Sequence, residues 1–168
     1  MTLKVNIFFK SKDIRNLNYL KEVSYMCQII EYKKDDFFIT TDFDKIDIDA
    51  LCSLLGKSYW ANSRERDVNI KSFKNSLSFS LFYCDKQIGV VRVITDYATF
   101  AYLCDVIIDE EYRHKGLGVW FLECVFKHPE LQGLRRWVLA TKDAHELYKK
   151  FGFESLNNPE RFMEIFNG

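Results

Sequence analysis

Residues 105–121 read DVIIDEEYRHKGLGVWF, which places the end of an apolar strand, a basic turn with two glycines and the start of an apolar helix in succession. Apolar residues at i, i+3, i+4, i+7 and i+8 from Leu117 predict a helix over 116–127. Each glycine destabilises a helix by about 1 kcal/mol relative to alanine, so two glycines at the N-terminus of this predicted helix require an explanation. A helix N-terminus offers unpaired N–H groups to an anion, and glycine lets a phosphate approach them. The alternative is a turn that needs glycine for its geometry and carries solvated basic residues by chance.

The segments around this stretch alternate between strand and helix patterns. LSFSLFYC at 77–84 and IGVVRVIT at 88–95 flank a short polar turn and predict a hairpin. The other predicted strands are at 3–9, 37–40, 102–109, 135–141 and 161–166, and the other predicted helices are at about 13–27, 47–55, 64–76 and 143–151. Asp143 and Glu146 resemble a capping box at the start of that last helix. This order predicts an α/β (α+β) fold.

Composition limits the function further. A chain of 168 residues with 24 Lys and Arg against 24 Asp and Glu is expected to form one domain without a charge bias toward nucleic acid or membrane. Five cysteines without a C-x-x-C spacing favour a reducing, cytoplasmic location. Three separated histidines argue against a metal site. No apolar run has the length needed to span a bilayer.

Two motifs resemble those of one enzyme family. DVIIDEEYRHKGLG, with its Arg113-x-x-Gly116-x-Gly118 core, resembles the acyl-CoA-binding motif of the GNAT superfamily of N-acetyltransferases. HELYKKFGF at 145–153 resembles a later helix of that family. The resemblance covers about residues 29–166. It implies a mixed, mostly antiparallel central sheet flanked by helices, with a domain at 29–168 and a short N-terminal extension at 1–28.

The resemblance implies acetyl-CoA as co-substrate, with no metal. The diphosphate of coenzyme A would rest on amides of the glycine turn, and the pantetheine arm would pair with the strand before it. The residues implied are Arg113, His114, Lys115, Gly116, Leu117 and Gly118 for the diphosphate, and Val106, Ile107 and Ile108 for the pantetheine. Backbone at 106–108 is also the candidate stabiliser of the thioester oxyanion.

Acyl transfer to an amine requires a proton for the departing thiolate. Tyr148 matches the tyrosine that serves as this acid in the family, although it also lies on an apolar helical stripe and is alternatively a core aromatic. In the family the general base is often a glutamate on or beside the strand that precedes the glycine turn, or a chain of waters. This sequence has no glutamate there, and Asp105 and Asp96 are the nearest carboxylates. Strand alternation places Asp105 on one face with Leu103 and Ile107. Its alternative role is that of a hydrogen-bonded structural carboxylate.

Acceptor contacts are predicted from loops that the family places near its acceptor site. The candidates are Tyr59, Trp60, Arg64 and Tyr97, which are alternatively rim packing. Cys104 and Cys124 are weaker candidates for a covalent nucleophile because both lie in apolar contexts. The function expected is transfer of an acetyl group from acetyl-CoA to a primary amine, on a small molecule or a peptide, by direct attack in a ternary complex. The alternative is a non-catalytic acyl-CoA sensor or partner-binding module, and a homodimer is a further expectation.

Overall fold

The computed structural model describes residues 29–166. The predicted strand at 3–9, the predicted helix at 13–27 and the proposed extension therefore lie outside the described residues. The strands are β1 (Glu31–Lys34), β2 (Phe37–Thr40), β3 (Leu77–Tyr83), β4 (Lys86–Thr95), β5 (Phe100–Ile108) and β6 (Arg136–Val138). The helices are α1 (Ile48–Gly56), α2 (Arg66–Lys74), α3 (Leu117–Phe126) and α4 (His145–Lys149).

The six strands form one sheet in chain order, from β1 to β6. Neighbours from β1 to β5 are antiparallel, and β5 and β6 are parallel. The predicted mixed, mostly antiparallel sheet is confirmed, and so is the hairpin of β3 and β4. Strand β1 was not predicted because its sequence, EYKK, is polar and largely exposed. β1 lies at the edge of the sheet and has one neighbouring strand, so its side chains can remain polar and exposed.

Hydrophobic clusters cover both faces of the sheet. The larger cluster joins α3 to the sheet around Phe79 and Phe121, both fully buried. The smaller cluster packs α1 and α2 on the opposite face around Phe73. Val90 and Val91 are neighbours on β4 and belong to different clusters, as expected when successive side chains of a strand point to opposite faces.

A β-bulge interrupts the pairing of β4 with β5. At one point β4 contributes Val91 alone, where β5 contributes both Asp105 and Val106. Asp105 has a left-handed backbone with φ 50°, which is uncommon for a residue other than glycine and typical of a bulge. The bulge shifts the alternation, so that Leu103 and Ile107 lie in different clusters. The prediction that Asp105 shares one face with both of them is wrong for this reason.

Strands β5 and β6 pair over only part of their length. Phe100–Tyr102 pair with Arg136–Val138, after which β5 continues to Ile108. Within residues 29–166, no other strand pairs with this edge of β5 beyond Tyr102. The backbone of β5 after Tyr102 therefore has no strand partner on that side, although the carbonyl oxygen of Ile108 accepts from Arg113 Nε.

Two predicted features near the C-terminus are wrong. Residues 161–166 alternate like a strand, but after a 3₁₀ turn at Pro159–Arg161 they are irregular, with Met163 98% and Ile165 91% exposed. A segment with alternating apolar and polar residues becomes a strand only where a neighbouring strand is available for its backbone hydrogen bonds. The capping box is also absent. Ala144 occupies the N-cap position of α4, and its N–H donates to Thr141 Oγ1 at 3.0 Å.

Candidate active site

A cavity of about 710 Å³ lies where β5 and β6 separate. Its walls come from β5, the loop after α1 and the segment that leads into α4. Among the residues predicted from sequence, it is lined by Tyr59, Trp60, Arg64, Cys104, Asp105, Val106, Ile107, Ile108, Arg113 and Tyr148. Five others, His114, Lys115, Gly116, Leu117 and Gly118, continue the chain beyond Arg113 and do not line it, and neither does Tyr97. The fold therefore brings the predicted acid, the open strand edge and most acceptor candidates to one place.

Asp105 lies at the centre of a hydrogen-bond cluster in this cavity. Its Oδ1 accepts from Trp60 Nε1 at 3.1 Å and from Arg64 Nη2 at 3.3 Å. Its Oδ2 accepts from Arg64 Nη1 at 3.0 Å and from Arg92 Nε at 2.6 Å. The left-handed backbone of the bulge is what places this carboxylate among these donors. Sequence reasoning missed Arg92, whose position in the middle of an apolar strand was the available signal.

The charge of Asp105 is fixed by its partners. Burial opposes ionisation of the carboxyl, but the hydrogen bonds and charges of Arg64 and Arg92 outweigh burial and lower its pKa. A carboxylate with both oxygens occupied and a lowered pKa is a poor proton acceptor. The structure therefore argues against the predicted role of Asp105 as general base. It favours the alternative of a hydrogen-bonded carboxylate that positions other groups.

Tyr148 is positioned by α4 and lines the cavity with 8% of its surface exposed. Its ring packs against Phe153 with centroids 6.0 Å apart. Burial raises the pKa of Tyr148 to about 12, and the neighbouring Tyr59 and Asp143 add to the shift. The phenol therefore remains protonated at neutral pH.

The backbone of the glycine turn has the left-handed residues and the uncapped helix end on which the predicted anion site depends. Gly116 occupies the N-cap position of α3 with φ 76°, and no side chain caps that helix end. His114 is also left-handed, with φ 62°. Left-handed residues in such a turn direct successive N–H groups toward one concavity. Leu117 is buried in the larger cluster, and Gly118 lies in the first turn of α3.

The basic side chains of the turn bind their own chain. Arg113 Nε donates to the carbonyl oxygen of Ile108 at 2.9 Å, and its Nη1 pairs with Glu110 at 3.4 Å. Lys115 Nζ donates to the carbonyl oxygen of Glu111 at 3.0 Å. The bond from Arg113 to Ile108 fixes the turn to the end of β5.

The aromatic acceptor candidates differ in position. Tyr59 and Trp60 pack edge to face with centroids 4.9 Å apart, and Tyr59 Oη accepts from the N–H of Lys142 at 3.0 Å. The two rings thereby connect the loop after α1 to the segment before α4. Tyr97 instead lies in the turn between β4 and β5, where its N–H donates to Thr95 Oγ1 at 2.9 Å.

The cysteine alternative finds no support in the local chemistry. Burial raises the pKa of the Cys104 and Cys124 thiols to about 11 in each case. Such thiols are almost entirely protonated at neutral pH and are weak nucleophiles. Residues 29–166 contain no group of three or more His, Cys, Asp or Glu side chains arranged to hold a metal ion. None of the helices in that range is long and apolar enough to cross a membrane.

Known proteins similar to this chain share an acetyltransferase fold. The sequence model of one protein family, described as acetyltransferase (GNAT) domain, matches residues 76–155. A Gibberella zeae protein that carries the name "putative acetyltransferase" is 30% identical over 142 residues, which are 71% of this chain and 79% of that protein. A Xanthomonas campestris pv. campestris crystal structure belonging to the GNAT family is 37% identical, with a TM-score of 0.76, and the match covers 80% of this chain and 96% of that one. This chain belongs to the GNAT family.

More distant GNAT structures share the fold. A GNAT acetyltransferase of Elizabethkingia anophelis, whose structure holds acetyl-CoA, has 16% identity and a TM-score of 0.57. That match covers 80% of the GNAT chain described here and 90% of the other protein.

Proposed function

We propose that this GNAT chain transfers the acetyl group of acetyl-CoA to a primary amine by direct attack in a ternary complex. The observation that carries the proposal is that Tyr148 lines the same cavity as the edge of β5 that has no strand partner. One group could donate the proton that the leaving thiolate needs, and the other could hold the pantetheine arm.

Acetyl-CoA fits the open backbone of this region. Amide-bearing pantetheine would pair with Val106, Ile107 and Ile108 as an added strand does with a sheet edge. The diphosphate would lie on the amides of residues 113–118, at the positive end of α3. The distant relative from Elizabethkingia anophelis holds acetyl-CoA in the same fold, which supports acetyl-CoA as the co-substrate.

The bulge of β5 supplies the candidate oxyanion donor. Asp105 and Val106 share one partner residue on β4, so the regular ladder is broken at this point. We place the thioester carbonyl near the N–H of Val106. A fixed backbone donor there would stabilise the negative charge that develops on the carbonyl oxygen.

Proton transfer completes the proposed reaction. The neutral amine nitrogen attacks the thioester carbon, the C–S bond breaks, and the thiolate takes the proton of Tyr148 Oη. Three carboxylates line the cavity, and two of them, Asp105 and Glu110, form ion pairs with arginines. The third, Asp143, is exposed and is our candidate to accept the proton that the amine loses.

A non-catalytic acyl-CoA sensor is the second candidate function. The engagement of Asp105 by two arginines favours it, because a carboxylate with both oxygens hydrogen-bonded is a weaker candidate for the general base. The two functions are separated by titrating the protein with acetyl-CoA and measuring thiol release over a panel of amines, amino acids and peptides. Release with at least one acceptor supports the transferase, and binding without release on any acceptor supports the sensor.

A further inference from the structure

The charged side chains of the cavity leave an excess of positive charge beside the bulge. Arg64 and Arg92 both pair with Asp105, and within residues 29–166 neither has another ion-pair partner. Their side chains are 22% and 11% exposed. Two guanidinium groups against one carboxylate leave a net charge of about +1 in a partly desolvated site, where charges interact strongly.

The remaining charges of the cavity do not remove this excess. Lys57 pairs with Asp109 at 3.6 Å, and Arg113 pairs with Glu110. Lys142 and Asp143 carry opposite charges and are both exposed. The uncompensated charge therefore belongs to the two arginines on Asp105.

Within residues 29–166, both arginines have N–H donors that no other side chain engages. Arg64 uses two donors on Asp105, and Arg92 uses one on Asp105 and one on Ser76 Oγ at 3.4 Å. A guanidinium has about five N–H donors in a planar fork suited to carboxylate or phosphate. Asp105 holds this fork in place, and Trp60, 42% exposed, provides an aromatic wall beside it.

We propose that the acceptor amine carries an anionic oxygen group, a carboxylate or a phosphate, and that Arg64 binds this group with Arg92 beside it. This inference rests on the proposed transferase function. The anion would neutralise the site and orient the amine toward the thioester. An acceptor whose remaining groups are only cationic would bind against the charge of both arginines.

Matched acceptor pairs test the substrate class. The ω-amino acids from glycine to 6-aminohexanoate are each compared with the alkylamine that lacks the carboxylate, and O-phosphoethanolamine is compared with ethanolamine. Acetyl-CoA-dependent thiol release gives kcat/KM for each. Because a hydrogen-bonded charged group contributes about 10- to 100-fold, we expect the anionic member to be preferred by that factor for at least one chain length or for the phosphate pair.

Variants at Arg64 test the residue. In Arg64→Gln, the ratio of kcat/KM for the anionic acceptor to kcat/KM for its matched amine should fall close to 1, while acetyl-CoA affinity is unchanged. Arg64→Lys should retain part of this preference. Arg66→Gln is the control, since Arg66 pairs with Asp49 on the surface, and it should keep the full preference. If Arg64→Gln does not fold, the wild-type pairs decide the substrate class and Arg64→Lys decides the residue.

The possible outcomes separate the two proposals. Turnover of neutral or cationic amines at least as fast as their anionic partners would overturn this inference and leave the transferase function standing. A preference that persists in Arg64→Gln, or in full in Arg64→Lys, would overturn the assignment to Arg64. Binding of acetyl-CoA with no turnover of any acceptor would overturn the transferase function and this inference with it.

Discussion

Replacing Tyr148 by phenylalanine removes one hydroxyl from the candidate site and keeps the buried ring. The ring is 8% exposed and packs on Phe153, and no hydrogen bond of its hydroxyl is present among the described residues. The free energy of unfolding should therefore change by less than about 1 kcal/mol. If the hydroxyl protonates the thiolate, kcat should fall by about 10²- to 10⁴-fold, the usual contribution of a positioned proton donor.

The assay is thiol release at saturating acetyl-CoA, with acetyl-CoA affinity measured by calorimetry and stability by thermal melting. Tyr102→Phe is the matched control, because this second phenol lines the same cavity from β5. It should keep kcat within about threefold, well below the contribution of an acid. Equal turnover of the Tyr148→Phe variant and the wild type would refute the acid role.

The pH dependence of the same pair gives an independent check. Because the pKa of Tyr148 is raised to about 12, its hydroxyl stays protonated well above neutral pH. The ratio of the wild-type rate to the Tyr148→Phe rate should therefore stay constant between about pH 7 and 10. A ratio that falls within this range would contradict the buried, protonated state of the phenol.

Three further predictions concern the turn, the bulge and the domain boundary. Gly116→Asp should weaken acetyl-CoA binding about tenfold more than Gly116→Asn in calorimetry, because the left-handed strain is shared and only the charge differs. Asp105→Asn should lower the free energy of unfolding by about 2 kcal/mol in denaturant titration at pH 7, as it leaves two half-buried guanidinium groups without an anionic partner. That difference should shrink as pH falls from about 4 through the lowered pKa of Asp105, because the stability gained from ionisation is then lost. Deleting residues 1–28 should leave acetyl-CoA affinity unchanged, and a loss of binding would place part of the site in that segment.

The local sequence determined the elements whose apolar pattern by itself indicates a strand or a helix. The hairpin of β3 and β4, the strand before the glycine turn and helix α3 were predicted because period-2 and period-3.6 apolar patterns are fixed by backbone geometry. The glycine turn was identified for a similar reason. Glycine adopts the left-handed backbone more readily than any other residue, so the presence of Gly116 before a helical pattern indicated this turn.

Tertiary structure alone decided the chemistry around Asp105. A single extra residue on β5 changes which face its side chain meets, and bulges of this kind carry no reliable local pattern. The partners of Asp105 lie 13 residues away at Arg92 and 41 away at Arg64. The pKa and orientation of a carboxylate depend on such donors, and donors this distant in sequence cannot be identified from a local pattern. The sequence therefore identified Asp105 only as a candidate base, whereas the fold shows that it pairs with two arginines.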